Sequence, residues 1–338
     1  RAVRGALRAG HSPCVRKNCL QTAIKRREHT GGSDGGKNRL RLLLQLPEKK
    51  VIMNKMPRAG VQYTGNPPRS TALRHGFFIW GFMDKKFTLS TDSTCDLYAS
   101  FVKEHDIKFV SLTYTMEDKG GNIISGLDNF TEYSQYVDFY NKLRSGSLSR
   151  TSMLNYESHL SHFTRLAEEG AEDVVHFTIS SGLSPTVTVA EKAAAEVKKS
   201  FPKFNVYAID SLSATIGQGA LVKEALRMRD EGRSAAETAE YVKGLRLKIQ
   251  YMIAVNDLYY LKRGGRVSSL SAIAGTMLGI KPILSFSKEG KLNVIDKVRG
   301  MRRAFAYALD KMEKFPPVKQ NELIWVVHTD AENEANEL

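Results

Sequence analysis

The sequence predicts an α/β fold built mainly on a parallel sheet, and three observations support this prediction. Apolar strand-like segments alternate with amphipathic helical segments through residues 83–248. The segment 173–179 is a continuous apolar strand, as expected for a strand covered on both faces. Several strands end in turns rich in Ser and Thr, directly before a helix. Because ligands bind at the carboxyl ends of parallel strands, these turns are the candidate site.

The elements of this first part follow from periodicity and turn residues. Strands are predicted at 87–89, 107–114, 173–179 and 204–209. Helices are predicted at 97–105, 129–143, 156–169, 186–199 and 216–231. Gly170 is placed to close the third of these helices. The repeated unit is therefore strand, hydroxyl-rich turn and helix.

The pattern changes after a helix predicted at 234–247, for which Ser234 is the expected N-cap. The later elements are strands at 250–255, 281–286 and 324–328, helices at 269–277 and 297–314, and a hairpin turn at 288–291. We therefore divide the folded part into an α/β domain at 83–248 and a second α/β domain at 249–338. The second domain is expected to be cut short at its C-terminal end.

The positive charge of the chain is confined to its first quarter. The whole chain has a net charge of +14, and residues 1–82 hold 17 Lys and Arg against 3 Asp and Glu. Residues 83–338 hold 33 of each sign, so the charge indicates nothing about the partners of the folded part. We expect residues 1–82 to be a disordered or non-native extension, with the true start at Met83. A nucleic-acid-binding arm and an organellar targeting peptide are the alternatives.

Several functional classes are disfavoured by what the sequence contains. It has 3 Cys, which favours a reducing compartment, and we predict a cytoplasmic protein. Its longest apolar run, 76–83, is far too short to span a membrane. We find no metal-ligand constellation and no P-loop, so no metal and no cofactor are predicted.

Hydroxyl side chains cluster at four places. These are Thr91/Ser93/Thr94, Ser180/Ser181/Ser184, Ser211/Ser213 and Thr151-Ser152, the last expected to open the helix near Tyr156. Such clusters can cap helices, supply a nucleophile or hold an anion. The loop SSGLSP is not a G-x-S-x-G nucleophile elbow, which disfavours a hydrolase without excluding it. The turn KRGGR at 262–266 combines three cations with two glycines. This pattern indicates either a turn that faces a ligand or a solvated surface turn.

Seven short segments, taken in order, resemble the DegV family of bacterial fatty-acid-binding proteins, the lipid-carrying subunits of fatty acid kinase. They are TDST at 91–94, TS at 151–152, ISSGLS at 179–184, IDS at 209–211, DLYYLKRGGR at 257–266, GIKPI at 279–283 and KVR at 297–299. They span the neutral region and none of the basic extension.

The resemblance implies a two-domain, non-catalytic carrier that encloses one long acyl chain and presents its carboxyl group to a separate ATP-dependent kinase. It implies that hydroxyls bind the carboxyl group, with Ser184 the best match, and that arginines lie at the head group or face the kinase. The implied carboxyl-binding residues are Thr151, Ser180, Ser181 and Ser184; the arginines are Arg263, Arg266 and Arg299; the supporting loop residues are Thr91, Asp92, Ser93, Asp210 and Ser211.

The chain departs from the family pattern in three ways. Pro185 stands where the family has Gly, and Met153-Leu154 stands where it has Gln-Pro. A His- and Gly-rich terminal segment of the family has no match here. Pro185 removes a backbone N–H donor and fixes φ, which changes what the preceding loop can offer an anion. The alternative to a carrier is an α/β enzyme that performs acyl transfer or hydrolysis through a loop serine, and a nucleic-acid binder is the third class.

Overall fold

A computed structural model of the chain describes residues 87–256, 261, 263–267, 279–314 and 324–338. Its strands are β1 (Thr88–Asp92), β2 (Lys108–Val110), β3 (Thr113–Glu117), β4 (Ile123–Leu127), β5 (Leu148–Ser152), β6 (Asp173–Thr178), β7 (Asn205–Asp210), β8 (Ile253–Ala254), β9 (Ile280–Phe286) and β10 (Leu292–Arg299). Its α-helices are α1 (Ala99–Glu104), α2 (Tyr133–Arg144), α3 (Tyr156–Glu168), α4 (Thr186–Ser200), α5 (Thr215–Asp230), α6 (Ala235–Leu245), α7 (Met301–Lys314) and α8 (Glu332–Glu337).

The central sheet is parallel and has the strand order β2-β1-β6-β7, which confirms the predicted fold class. Successive residues of its strands point to opposite faces, so Val174 and Val175 enter different cores. On one face, Val174 packs with residues of α3 and α4 around Phe163. On the other face, Val175 packs with residues of α5 and α6 around Leu221. This two-sided burial explains why the strands read as apolar runs.

The strand predicted at 107–114 is in fact two strands in two different sheets. β2 joins the parallel sheet, whereas β3 is the middle strand of an antiparallel sheet with the order β4-β3-β5. Between them, the amide of Leu112 donates a hydrogen bond to Ser93 Oγ at 3.0 Å instead of to a strand. The continuous apolar pattern hides this break, because it reports burial and not sheet membership.

A second prediction in this region was also wrong. Thr151 and Ser152 end β5 and do not open the following helix. The N-cap of α3 is Asn155, whose side chain accepts a hydrogen bond from the Ser158 amide. The side-chain oxygen of an N-cap Asn accepts from a free helix N–H just as a Ser or Thr hydroxyl does, and Asn155 lies one residue before the helix. Ser234 does cap α6, in a capping box with Glu237, as predicted.

The later part of the chain forms a third, antiparallel sheet with the order β10-β9-β8. The predicted hairpin turn at 288–291 joins β9 to β10. The helix predicted to begin at residue 297 begins at Met301, because Lys297–Arg299 pair with β9 and Gly300 then turns the chain at φ +81°. Residues 324–328 are irregular and not a strand.

The remaining predictions about organisation fall partly outside the described residues. The extension 1–82 and the helix predicted at 269–277 lie there entirely. The third sheet is separate from the parallel one, consistent with two α/β domains, and the boundary at 248–249 stays a prediction. In the part of the chain that the structure describes, no helix is both long and apolar enough to cross a membrane.

Candidate functional site

The hydroxyl-rich turns converge at the carboxyl edge of the parallel sheet. β1, β6 and β7 are neighbours, and their register aligns Thr91 with Phe177 and Phe177 with Ile209. The turns that follow β6 and β7 are joined directly, because the Ser180 amide donates to the carbonyl of Ser213 at 2.7 Å. The parallel topology therefore brings together clusters that are far apart in sequence.

Asp92, at the end of β1, is the buried centre of this edge. One carboxylate oxygen accepts a hydrogen bond from the Ile179 amide at 2.9 Å. The other accepts from the Gln218 side chain at 2.7 Å and from both the amide and hydroxyl of Thr94. Burial raises the pKa of Asp92, against the opposing effect of these donors. Both carboxylate oxygens therefore have donors within the protein, and the supporting role of Asp92 stays a prediction.

Asp210 plays a similar part at the end of β7. Its Oδ1 accepts hydrogen bonds from the amides of Ser181 and Leu212, both at 3.0 Å. Its backbone carbonyl accepts from the Arg246 guanidinium at 2.8 Å. The neighbouring Ser211 hydroxyl donates to the carbonyl of Ser213 at 2.9 Å. These contacts hold the two turns in fixed positions relative to each other.

We define the serine loop as residues 179–185. All of its backbone N–H groups donate hydrogen bonds to acceptors within the protein. Each amide from 179 to 184 has an acceptor: Asp92 for Ile179, Ser213 O for Ser180, Asp210 for Ser181, Ser180 Oγ for Gly182, and Ser180 O for both Leu183 and Ser184. Pro185 has no amide hydrogen to offer. The loop therefore cannot cradle an anion with backbone N–H groups. Among the loop's own groups, the hydroxyls of Ser181 and Ser184 are left as hydrogen-bond donors for a ligand.

The three serines of this loop differ in their environments. Ser180 is buried, and its hydroxyl donates to the carbonyl of Gly290 at 2.7 Å. Ser184 is half-buried, and its Oγ lies 2.8 Å from Thr186 Oγ1. Ser181 is exposed. Ser181 and Ser184 thus remain accessible, whereas Ser180 fastens the loop to the turn between β9 and β10.

Besides the bond from Ser180 to Gly290, two further contacts join this edge to the later part of the chain. A Cβ added to Gly182 would lie 2.4 Å from the carbonyl oxygen of Gly290, so these two backbones touch. The Ser213 hydroxyl forms a hydrogen bond with the phenol of Tyr251, whose ring packs on Phe286 at a centroid distance of 4.8 Å. The hydroxyl cluster therefore lies where the two predicted domains meet.

The structure places Thr151 on β5 of the antiparallel sheet and does not join it to the serine loop. Thr151 pairs with Tyr114, two residues along from Leu112, whose amide bonds Ser93 beside the end of β1. Thr151 is exposed. Among the described residues, no hydrogen bond links Thr151 to Ser184, and its role in carboxyl binding stays a prediction.

The predicted arginines lie on the later part of the chain and are exposed. Arg263 and Arg266 flank the turn Gly264-Gly265, where Gly265 has a φ of +69° that favours glycine. Arg266 donates a hydrogen bond to the carbonyl of Gly264. Arg299 ends β10 opposite Ile280. Within the described ranges, neither Arg266 nor Arg299 bonds to the serine loop; residues 257–260 and 262 of this motif lie outside those ranges.

Four residues of this edge escaped the sequence analysis: Thr186, Gln218, Arg246 and Tyr251. Gln218 had a usable signal, because it is polar on a helix face that continues with Leu221 and Val222 into the core. Thr186 follows Pro185 at the first position of α4 and reads as an ordinary helix start. Arg246 and Tyr251 are brought in by tertiary packing, and no local pattern indicates them.

Two further features bear on what the site can hold. A cavity of about 240 Å³ opens at the other edge of the parallel sheet, beside Phe87, Lys108 and Asp173 at the amino ends of strands, so it is not part of the hydroxyl cluster. In the described ranges, no three His, Cys, Asp or Glu side chains are grouped as metal ligands.

The comparisons with known proteins match the region that carries this architecture. A family model described as "Uncharacterised protein, DegV family" matches residues 86–338. A DegV domain-containing protein of Clostridium perfringens is 32% identical over 261 residues, covering 75% of this chain and 85% of that protein.

Solved structures give the same result. A fatty-acid-binding DegV family protein from Streptococcus agalactiae is 28% identical, with a TM-score of 0.59 over 75% of this chain and 85% of that one. A DegV family protein from Thermus thermophilus, whose structure concerns fatty acid binding, is 30% identical, with a TM-score of 0.57 over 68% of this chain and 77% of that one. The family model and these relatives match most of the chain, and the chain belongs to the DegV family.

Proposed function

We propose that this protein is a cytoplasmic, non-catalytic carrier that binds one long-chain fatty acid between its two domains. The hydroxyls of Ser184, Ser181 and Thr151 bind the carboxyl group, and a separate ATP-dependent kinase then phosphorylates it. The observation that carries this proposal is the bonding of the serine loop. Its backbone N–H groups already have acceptors within the protein, and its accessible serine hydroxyls remain for a ligand. The fatty-acid binding described for the related structures supports the same ligand class.

The energetics of such a ligand divide between its two ends. An acyl chain of about 14 methylenes gains roughly 11 kcal/mol when buried, at about 0.8 kcal/mol for each CH₂ group. The chain therefore supplies affinity. The carboxyl group needs hydrogen bonds, because a buried carboxylate without partners is costly. Hydroxyls suit this end, since they can donate to a carboxylate or accept from a carboxylic acid.

The arginines fit the step that follows binding. An acyl phosphate carries more negative charge than a carboxylate. One guanidinium group can donate two parallel hydrogen bonds to two oxygens of the same phosphate. Arg266 and Arg299 are exposed, so they can meet a partner protein or a phosphorylated head group without prior burial. We assign them to the kinase-facing surface.

The arrangement does not favour the alternative of a serine hydrolase. A serine nucleophile needs a base within hydrogen-bonding distance. Ser184 has Thr186 as its partner, and Ser180 has Gly290. The one serine described in contact with histidines is Ser90, which is fully buried in the core beside His162 and His176.

Mass spectrometry of the intact, natively folded full chain made in bacteria tests the proposal. We expect a mass increment equal to one fatty acid. Ser184→Ala should lower the fraction of protein that carries it, and Ser161→Ala, at an exposed position of α3, should leave that fraction unchanged. Addition of a bacterial fatty acid kinase and ATP should convert the bound lipid to a hydroxylamine-reactive acyl phosphate. A ligand-free mass that does not change when oleate is added would overturn the carrier assignment.

A further inference from the structure

We propose that Thr186 is a positioning residue that fixes the direction of the Ser184 hydroxyl, so that Ser184 acts as a hydrogen-bond donor toward its ligand. The inference rests on the proposed function, because it concerns how the same site recognises a carboxyl group. It begins from the pair of hydroxyls at the start of α4, whose oxygens are 2.8 Å apart.

A pair of hydroxyls can bond in either direction, and burial decides between the two here. Thr186 is 2% exposed, so its proton has no access to water. In the described part of the chain, Ser184 Oγ is the acceptor within reach of that proton. If Ser184 donated instead, the Thr186 proton would be buried without a partner, at a cost of about 1–3 kcal/mol. Thr186 therefore donates and Ser184 accepts.

This direction leaves the proton of Ser184 available to a ligand. Ser184 is half-buried at the open side of the serine loop, and its own amide is already bonded to the Ser180 carbonyl. A hydroxyl that accepts one hydrogen bond becomes a better donor in the next. The preferred ligand group is thus an acceptor, and a hydrogen bond to a charged acceptor is stronger than one to a neutral acceptor.

The site consequently favours an ionised carboxylate over a neutral head group on the same chain. Pro185 contributes to this choice. It lies between the two hydroxyl residues with φ −75° and offers no amide hydrogen that could compete for the ligand. The orientation of one proton, set by a residue that does not touch the ligand, then determines head-group preference.

The experiment measures equilibrium binding of radiolabelled oleate and oleyl alcohol to the delipidated full chain. We compare the wild type with Thr186→Val, which keeps the shape and removes the hydroxyl, and with Thr186→Ser, which restores it. Thr188→Val, at an exposed position of α4, is the matched control. We expect Thr186→Val to weaken oleate binding about 10-fold and oleyl alcohol binding by no more than about 3-fold. Thr186→Ser and Thr188→Val should stay within about 2-fold of the wild type.

The outcomes separate this inference from the proposed function. If the wild type binds oleate and Thr186→Val binds it equally well, the positioning role is overturned and the carrier function stands. Equal losses for oleate and oleyl alcohol would also overturn it, because a packing defect affects both ligands. If the wild type binds neither ligand, the proposed function fails and the inference fails with it.

Discussion

Two buried polar clusters share strand β1 and differ in how completely they are bonded. The edge cluster, formed by Asp92 with Thr94, Ile179 and Gln218, leaves no carboxylate oxygen unpaired. The histidine cluster, formed by Ser90 with His162, His176 and the adjacent ring of His159, leaves two ring nitrogens unpaired among the described residues. Similar burial therefore has different consequences at positions two residues apart.

The protons of the histidine cluster can be assigned from its donors. Arg165 can only donate, so His162 Nδ1 accepts at 3.3 Å and the proton of this ring is on Nε2. His162 then donates to Ser90 Oγ at 2.8 Å, and Ser90 donates to His176 Nδ1 at 2.9 Å. The proton of His176 is left on Nε2, where no acceptor is described.

His159 has the opposite defect. Its Nδ1 donates to the Asn155 carbonyl at 3.2 Å, which leaves Nε2 as an unpaired acceptor. The rings of His159 and His176 are perpendicular, with centroids 5.5 Å apart. The core thus holds an unpaired donor near an unpaired acceptor, and each ring must stay neutral to remain buried. The edge cluster stabilises the site, whereas the histidine cluster makes stability depend on pH.

Lowering the pH should produce the largest change in the free energy of unfolding. Burial lowers the pKa of His162 to about 3, holds the pKa of His176 well below its usual value, and lowers the pKa of His159. Because the unfolded chain takes up these protons first, stability is lost as pH falls below about 6.5. From pH 7 to pH 5, His162 and His176 together should remove about 4 kcal/mol from the free energy of unfolding.

Urea denaturation at the two pH values measures this loss, and His176→Phe should reduce it by about half. After burial, the charges of Arg165, His159 and Lys108 each lower the pKa of His162 further. Asp92 acts with the opposite sign, because its raised pKa lets the native state take up that proton before the unfolded chain does. Equal stability at pH 7 and pH 5 would contradict the assignment of neutral buried rings.

The next effect concerns the edge cluster. Asp92→Asn keeps the volume and turns one acceptor oxygen into an NH₂ group that faces donors in either orientation. We expect a loss of about 3 kcal/mol, measured by urea denaturation at pH 7, because donors that met a carboxylate become buried and unpaired. Asp138→Asn, at an exposed position of α2, should change stability by less than about 0.5 kcal/mol. If Asp92→Asn is as stable as Asp138→Asn, the hydrogen bonds of the edge cluster do not stabilise the protein.

The two clusters also show which parts of the molecule could be predicted from sequence. The strand ends of β1, β6 and β7 were predictable, because local apolar runs and the turns after them are visible in the chain. The partners of Asp92 and Ser90 were not. The apolar face of α5 marks Gln218 as unusual, but tertiary packing alone pairs it with Asp92, as it pairs His176 with Ser90.

The missed sheet has a similar explanation. β4 is a short edge strand, IISGL, whose two isoleucines are exposed, so it lacks the alternation that a strand with one buried face would show. Lys297–Arg299 was mistaken for helix because the amphipathic helix α7 begins at Met301, and the pattern shows no boundary until Gly300 is read as a turn. The apolar pattern therefore predicts strands well where the sheet is buried, as in β1, β6 and β7, and poorly at exposed edges such as β4.

The smallest effect tests whether the edge cluster depends on the turn between β9 and β10. Gly290 has a φ of +70°, and a Cβ added there would lie 2.0 Å from Ser180 Oγ. Gly290→Ala should cost about 2 kcal/mol. About 1 kcal/mol of this is backbone strain, and the rest is displacement of Ser180 and of the neighbouring Leu212. Gly232→Ala is the matched control: it has a φ of +78° and nothing within 4 Å, so it should cost only the strain.

The excess loss in Gly290→Ala, measured by urea denaturation, should come with weaker oleate binding, because the serine loop moves with Ser180. If both glycine variants lose the same stability and bind oleate alike, the turn between β9 and β10 does not hold the serine loop. The edge cluster would then be independent of the later sheet, and the contrast with the histidine cluster would not extend to it.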